Sequence, residues 1–297
     1  MGKTPLSINL ALDIGAEIIC CDSRQVYIGM DIGTDKPPHH LQQIIAHHLI
    51  DIVYPDDEFN AHLWAEFAEV ATKDIQNKNR IPLIVCGTGL YLSALTDGFF
   101  PVPEMTIEKK EQISQEIDGI EKRISLFNYL KEIDEESAKN IHPNDRYRIK
   151  RAIEIYLLTG KPATYHKKNS RRQGKKDIIY IGLTMDRNTL YRRIDQRVED
   201  MLKNGFVEEI EYLLRLGYEE SLNAFQAPGY RELIGFIEGN FKKIDAIAET
   251  KKRTRNYAKR QFTWFRKIEG VNWFDMSDGC KNKRKSIKQL ILARTQE

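Results

Sequence analysis

Met1-Gly2-Lys3-Thr4-Pro5-Leu6-Ser7-Ile8-Asn9-Leu10-Ala11-Leu12 is the stretch on which the reading of the fold turns. Gly2-Lys3-Thr4 matches the end of the phosphate-loop pattern G-x-x-x-x-G-K-[ST], whose first glycine has no counterpart in this chain. In that pattern backbone N–H groups wrap a phosphate, the lysine reaches its terminal oxygens and the hydroxyl sits on Mg²⁺. The tripeptide alone is a weak signal. Its context strengthens it, because Pro5 suits the first turn of a helix through Leu6–Leu12. Working outward, Glu17-Ile18-Ile19-Cys20-Cys21 and Ile81-Pro82-Leu83-Ile84-Val85-Cys86 are strand-like runs separated by a helical pattern over His62–Gln76. Such runs suit buried parallel strands, and ligands of such sheets collect beyond the strands' carboxyl ends. That places Asp22, Ser23, Thr88 and Gly89 on one rim with Lys3 and Thr4.

The chain has 297 residues, enough for a substantial core and, on length alone, about two domains. No segment has the apolar length of a membrane span, and the N-terminus has no signal-peptide pattern. The four cysteines (Cys20, Cys21, Cys86, Cys280) lack C-x-x-C spacing and read as reduced cytosolic thiols rather than a disulfide framework. A net charge of +3 implies no partner by itself, but its distribution does. Lys251, Lys252, Arg253, Arg255, Lys259 and Arg260 occur without an acid between them; Lys281, Lys283, Arg284 and Lys285 follow. A further basic run spans Lys167 to Lys176. Each run alone fits a solvated face; together they also fit a polyanionic partner such as RNA.

Pro101-Val102-Pro103 breaks the helix–strand alternation, and Thr106 to Asn140 reads as a charged helical insertion. The core is expected to resume with the helix Arg148–Leu158, stopped by Gly160-Lys161-Pro162, and with a strand over Ile178–Leu183. Beyond Asn188 the pattern reads as helical throughout. Four constellations could carry chemistry, and each has a plainer alternative. Asp22, at a strand end before Ser23-Arg24-Gln25, could act as general base, hold Mg²⁺ or cap the next segment. Gly87-Thr88-Gly89 fits close ligand approach or a plain tight turn. Arg193 and Arg197, one helical turn apart, could clamp a diphosphate or merely meet solvent, as could Arg192 beside them. Gln226-Ala227-Pro228-Gly229-Tyr230-Arg231 could stack on a base and contact a phosphate, or simply connect helices. His39-His40 and His47-His48 lack partners at zinc-ligand spacing, so a zinc site is not indicated.

Read together, Gly2-Lys3-Thr4 and Asp22-Ser23-Arg24-Gln25-Val26-Tyr27-Ile28-Gly29-Met30-Asp31-Ile32-Gly33-Thr34-Asp35-Lys36-Pro37 resemble the bacterial tRNA dimethylallyltransferases. The resemblance continues through His47–Ile52, Ile81–Tyr91, Ile141–Glu154, Gly229–Glu232 and Thr254–Trp264, in the same order and over nearly the whole chain. Its most specific part is the block Asp22–Pro37. The resemblance implies an α/β fold: a P-loop NTPase-like parallel sheet flanked by helices, with a helical insertion and a helical C-terminal region. The core would comprise 1–100 and 141–297, and the insertion 101–140 would grip the tRNA anticodon stem-loop. The implied reaction moves the dimethylallyl group of dimethylallyl diphosphate to the exocyclic N6 amine of the adenosine 3′ of the anticodon. A cytoplasmic, monomeric enzyme using Mg²⁺ is expected.

Carried over residue by residue, Gly2, Lys3 and Thr4 would hold the diphosphate, Thr4 its Mg²⁺, and Arg197 with Arg193 would neutralise the leaving group. Asp22 would meet the tRNA adenine amine as the base and Thr88 would help position it, so both would also touch the tRNA. Ser23, Arg24 and Gln25 would line the tRNA entrance. Tyr147, Arg148, Ile149, Lys150 and Arg151 match family stretches that touch tRNA, as do Gln226, Ala227, Pro228, Gly229, Tyr230 and Arg231. Lys110 occupies a place usually basic on the insertion.

These roles make chemical sense. An allylic diphosphate leaves as a large anion, an aromatic amine must lose a proton, and a stacked base must be extracted. The chain departs from the family pattern in three places. The first loop glycine and its strand have no counterpart; if translation starts at Met1, weak activity and reduced stability are expected. Cys86 stands where glycine is usual, and Pro228 where a β-branched residue is common. The rival readings are an isopentenyltransferase acting on free adenine nucleotides, a P-loop small-molecule kinase, and an inactive RNA-binding remnant. The insertion and the basic C-terminal helices favour tRNA over the first two.

Overall fold

The computed structural model describes residues 2–98, 103, 105–169, 178–277 and 279–295. It forms two compact units: Met1–Thr96 with Lys175–Glu297, and Asp97–Gly174. Most of the basic run ending at Lys176, and Pro101-Val102, lie outside the described residues.

The first unit begins with Gly2 in the left-handed region (φ 74), a conformation glycine adopts without steric cost, and turns directly into the helix Lys3–Ile14. Gly15, also left-handed, ends that helix by donating its N–H to the Ala11 carbonyl. The chain then enters β1 (Ala16–Cys21), buried along its whole length. β1 is the middle of a parallel sheet, lying between β2 (His47–His48) and β3 (Ile81–Cys86). Both predicted strands are present, and the second has the expected bounds. Register pairs Cys20 with Val85 and Cys21 with Cys86, so the two strands end level. Asp22 and Gly87 therefore leave the sheet side by side. The turn after β3 hangs on the end of β1, since Gly87 and Thr88 both donate N–H to the Cys21 carbonyl (2.9 and 3.1 Å).

The predicted 62–76 helix spans Ala61–Asn77, capped by the Asn60 side chain, which accepts from the His62 and Leu63 amides. Its Trp64, Ala68, Ala71 and Ile75 face inward at helical spacing, and the Trp64 indole donates to the Cys20 carbonyl at 3.0 Å. The opposite environment of the first helix is a second cluster. Leu6 and Leu10 pack with Met185, Leu190, Ile194, Met276, Ile287 and Ile291. Here two expectations are corrected. The strand read over Ile178–Leu183 is β4 (Ile181–Thr184), and it pairs with β5 (Asn272–Asp275) in a separate parallel pair rather than joining the first sheet. β5 also interrupts the region expected to be helical throughout. Its four residues are too short to stand out from the long basic helices around them.

The second unit packs the helices Ile107–Glu121, Leu126–Ile133, Glu135–Asn140, Arg146–Thr159 and Ala163–Asn169. Ile113, Ile117 and Ile120 form one stripe, and it is covered by Leu126, Leu130, Ala138, Ile149, Ala152 and Ile153. The expected boundary at 140 therefore shifts, because the helix assigned to the core supplies the apolar stripe that closes this unit. Asp134 adds a polar clasp. It caps Glu135–Asn140 through the Ser137 amide and hydroxyl (3.0 and 2.8 Å), and also accepts from the Thr164 amide and hydroxyl (3.1 and 2.8 Å). Among the described residues no helix is long and apolar enough to cross a membrane.

Candidate active site

The level ends of β1 and β3 bring Lys3, Asp22 and Gly87 together. The Lys3 ammonium donates to the Cys86 carbonyl at 3.1 Å. The Asp22 carboxylate accepts the Arg24 amide at 2.9 Å, which orients it from within its own loop. A Cβ placed on Gly87 would lie 2.8 Å from Asp22 Oδ2 and 3.1 Å from Lys3 Nζ, so acid and base flank the same glycine. Any larger residue there would push the Asp22 carboxylate aside. Thr88 Oγ1 accepts the Ser23 amide at 3.0 Å, tying the two rim loops to each other. Lys3, Thr4, Asp22, Gln25 and Gly87 line one small cavity. Of the sequence candidates, these four side chains and Thr88 are the ones the structure gathers.

The helix Lys243–Phe265 supplies what sequence reasoning missed. Gln261 Nε2 donates to the Gly87 carbonyl at 2.6 Å, and the Tyr257 hydroxyl lies 3.4 Å from the same oxygen. The Trp264 indole lies against Gly89 so closely that a side chain there would collide with it. Residues 257, 261 and 264 share one helical face, the signal that could have found them. Burial raises the Tyr257 phenol above its ordinary range, and the Asp22 charge adds to this. Cys20 and Cys21 are likewise pushed upward by burial, and Cys21 Sγ lies 3.0 Å from Cys86 Sγ. Thiols so held stay protonated and do not serve as nucleophiles.

The segment 22–37 touches this cavity at both ends, through Asp22, Gln25 and Pro37, and is held by charges of both signs. Lys36 is buried, and its ammonium donates to the Tyr27 carbonyl (2.9 Å), Asp31 (2.5 Å) and Asp51. Glu209, unforeseen from sequence, accepts the amides of Asp31, Ile32 and Gly33 (2.9, 2.6 and 3.1 Å). Arg24 donates to the Asn223 and Ala224 carbonyls, and Gln25 to the carbonyls of Thr34 and Asp35 (3.0 and 3.1 Å). Arg197 is not gathered with Lys3. It donates to Asp35 at 3.0 Å in a neighbouring cleft that shares Pro37 with the first cavity. Arg193 is exposed on the same helix.

Two further expectations need correction. Tyr230 is fully buried between Phe206 and Phe225, with ring centroids 4.9 and 5.9 Å away, so it is a core residue and not a surface on which a base stacks. Ala227 and Gly229 are buried with it, Pro228 is partly covered, and Gln226 and Arg231 remain exposed. Gly229 has φ 103, and a Cβ there would approach Phe206 to 2.7 Å. In the second unit Ile149 belongs to the core at 2% exposure, because a continuous surface run on a helix must turn one residue inward. Tyr147 beside it is 82% exposed, Arg148 and Lys110 are exposed, and Lys150 and Arg151 are half-buried.

The description "IPP transferase" matches residues 25–268. The chain belongs to the IPP transferase family. That match spans both compact units, so the Asp97–Gly174 helices are part of the IPP transferase body. Among its relatives, the tRNA dimethylallyltransferase of Halothermothrix orenii is 42% identical over 98% of this chain and 89% of its own length. That of Staphylococcus carnosus is 42% identical over 93% and 88%. Solved structures agree. The tRNA isopentenylpyrophosphate transferase of Staphylococcus epidermidis is 39% identical, with a TM-score of 0.70, over 99% of this chain and 95% of that one. A eukaryotic dimethylallyltransferase acting on tRNA is 29% identical with a TM-score of 0.79, over 93% and 71%.

Proposed function

We propose that this protein is a tRNA dimethylallyltransferase. It moves the dimethylallyl group of dimethylallyl diphosphate to the N6 amine of the adenosine 3′ of the anticodon and releases diphosphate. The observation that carries the reading is the Lys3–Asp22 pair around Gly87, in a chain related over nearly its full length to enzymes named for this activity.

In the reaction the allylic C–O bond breaks, a C–N bond forms, and the amine gives up one proton. Asp22, with one oxygen held by the Arg24 amide, keeps its other oxygen facing the cavity and accepts that proton. Lys3 meets the charge that builds on the departing diphosphate. Arg197 would join it by exchanging Asp35 for a diphosphate oxygen, since both contacts are charge-assisted. The Thr4 hydroxyl, in one cavity with a carboxylate, is a hard-oxygen setting suited to Mg²⁺, an ion that takes most of its ligands from phosphates and water. When bound there, Mg²⁺ would supply further charge neutralisation at the leaving group. The target base must leave its stack to reach Asp22, and exposed Gln226 and Arg231 have the chemistry to hold an RNA loop while it does; in the second unit exposed Tyr147 and Arg148 offer RNA the same kinds of contact. We read the enzyme as a cytoplasmic monomer, which size-exclusion chromatography with light scattering would test.

The experiment is transfer of labelled dimethylallyl from its diphosphate to unmodified tRNA and, in parallel, to AMP. Label in tRNA alone is the expected result. Label in AMP alone, or turnover of ATP in place of dimethylallyl diphosphate, would refute the assignment.

A further inference from the structure

The strongest feature the reaction leaves unused is the carboxylate of Glu209. It sits near the start of the helix Phe206–Arg215, far in sequence from the loop it touches. One of its oxygens accepts the amides of Asp31 and Ile32; the other accepts the Gly33 amide and the Tyr230 hydroxyl at 2.7 Å. Three successive backbone N–H groups turned toward one point form an anion-binding nest, and here the anion belongs to the protein. Four donors occupy its two oxygens, so the group is saturated rather than available to substrate.

The partners explain why the contact matters. Asp31–Gly33 lie on the segment that begins with Asp22, Ser23, Arg24 and Gln25. Tyr230 lies on the segment Gln226–Arg231. Arg24 already reaches the Asn223 and Ala224 carbonyls, just before that second segment. Glu209 thus supplies the other end of a brace between two stretches proposed to meet tRNA. The fit allows no slack: a side chain at Gly33 would collide with Phe206, whose ring packs edge-on to Tyr230. Lys36 secures the same segment from its carbonyl and carboxylate side but does not reach the helix Phe206–Arg215.

We propose that Glu209 is a positioning residue for the nucleic-acid side of the reaction: it locks the 22–37 segment to the Gln226–Arg231 segment, so that Asp22 and the tRNA-facing groups keep one geometry. This rests on the transferase reading above. Lys3 and Thr4, which would hold the diphosphate, ride on the separate helix Lys3–Ile14, and neither is among the four partners of Glu209. The two substrates should therefore respond differently when it is cut.

Glu209→Gln keeps the shape but turns an N–H₂ group toward donors, and Tyr230→Phe removes one of the four bonds while keeping the ring. For Glu209→Gln, kcat should fall about tenfold to a hundredfold, the size expected from misplacing a reacting group. KM for tRNA should rise at least fivefold, and KM for dimethylallyl diphosphate by a clearly smaller factor, felt only through the Arg197–Asp35 contact. Tyr230→Phe should move the same parameters in the same direction by a smaller factor. Hydrogen exchange of the 31–33 amides, which needs no activity, should speed up in both variants. Unchanged exchange at 31–33, or equal changes in both Michaelis constants, overturns the proposal. If the wild type transfers nothing to tRNA, the transferase reading fails by itself, and exchange at 31–33 alone still decides whether the brace exists.

Discussion

The end of the β1–β3 sheet and the exposed side of the helix Arg146–Thr159 hold their candidate site residues by opposite means. At the sheet end each group is held by backbone: Asp22 by the Arg24 amide, Lys3 by the Cys86 carbonyl, Thr88 by the Ser23 amide. On the helix, Tyr147 is 82% exposed, and Arg148 and Arg151 pair with the nearby Asp145 and Glu154. Exposed pairs of that kind contribute little to stability, so these side chains can be redirected cheaply. One region is organised for geometry before substrate arrives; the other offers charge and an aromatic ring that a polyanion can rearrange.

That contrast can be broken most forcefully at Asp22. Asp22→Ala should lower the single-turnover transfer rate by roughly 10²–10⁴-fold with tRNA affinity within twofold, as expected for loss of a general base. A comparable loss of tRNA affinity would mean the sheet end grips RNA as well as reacting with it. Next in size is Leu130→Ala, which removes a fully buried side chain from the second unit and should cost about 2–5 kcal/mol in denaturant unfolding. Loss of tRNA binding at temperatures where dimethylallyl diphosphate still binds would show that the exposed helix depends on its own core. Tyr147→Ala should weaken tRNA binding by about 1–3 kcal/mol if the ring stacks on a base, with no change in Tm. Binding that is unchanged would remove the aromatic from the comparison and leave charge alone.

The smallest expected effect is a pH dependence at Asp134. Burial works to raise its pKa, but bonds from the Ser137 and Thr164 amides and hydroxyls outweigh it and hold the carboxyl below the ordinary aspartate value. Folding therefore favours the ionised form. The resulting stability is fully present above the usual aspartate pKa of about 4 and is lost as pH falls through the lower folded value. The stability gap between wild type and Asp134→Asn should be flat near neutral pH and shrink in acid; a gap that is flat throughout would assign the clasp to geometry alone.

How much of this was readable in advance follows from the range of each interaction. β1, buried throughout, and β3, partly buried, were legible with the loops after them because strands inside a parallel sheet leave a continuous apolar signature, and because parallel pairing places the strand ends together. The convergence of Asp22 and Thr88 followed from that, and the Gly2-Lys3-Thr4 pattern added Lys3 to it. Glu209 was not legible: a carboxylate on a polar helix face looks the same whether it meets solvent or three amides 176 to 178 residues away. Tyr230 was misread for a related reason, since a loop with Gly229 and Arg231 gave no hint that Phe206 and Phe225 would enclose the ring between them. The second unit's boundary was misplaced because a helix carries its apolar stripe openly but not the identity of the core that receives it.

Trp264 gives the catalytic turn an optical consequence. The chain has three tryptophans. Trp64 is sealed in the core, and Trp273, 40% exposed on β5, lies over Gly182. Trp264 alone has its indole pressed against Gly89 while 37% of it still meets water. Covering of that turn by a ligand should therefore shift the Trp264 emission to the blue, over an unchanging contribution from Trp273 that a Trp273→Phe variant would remove.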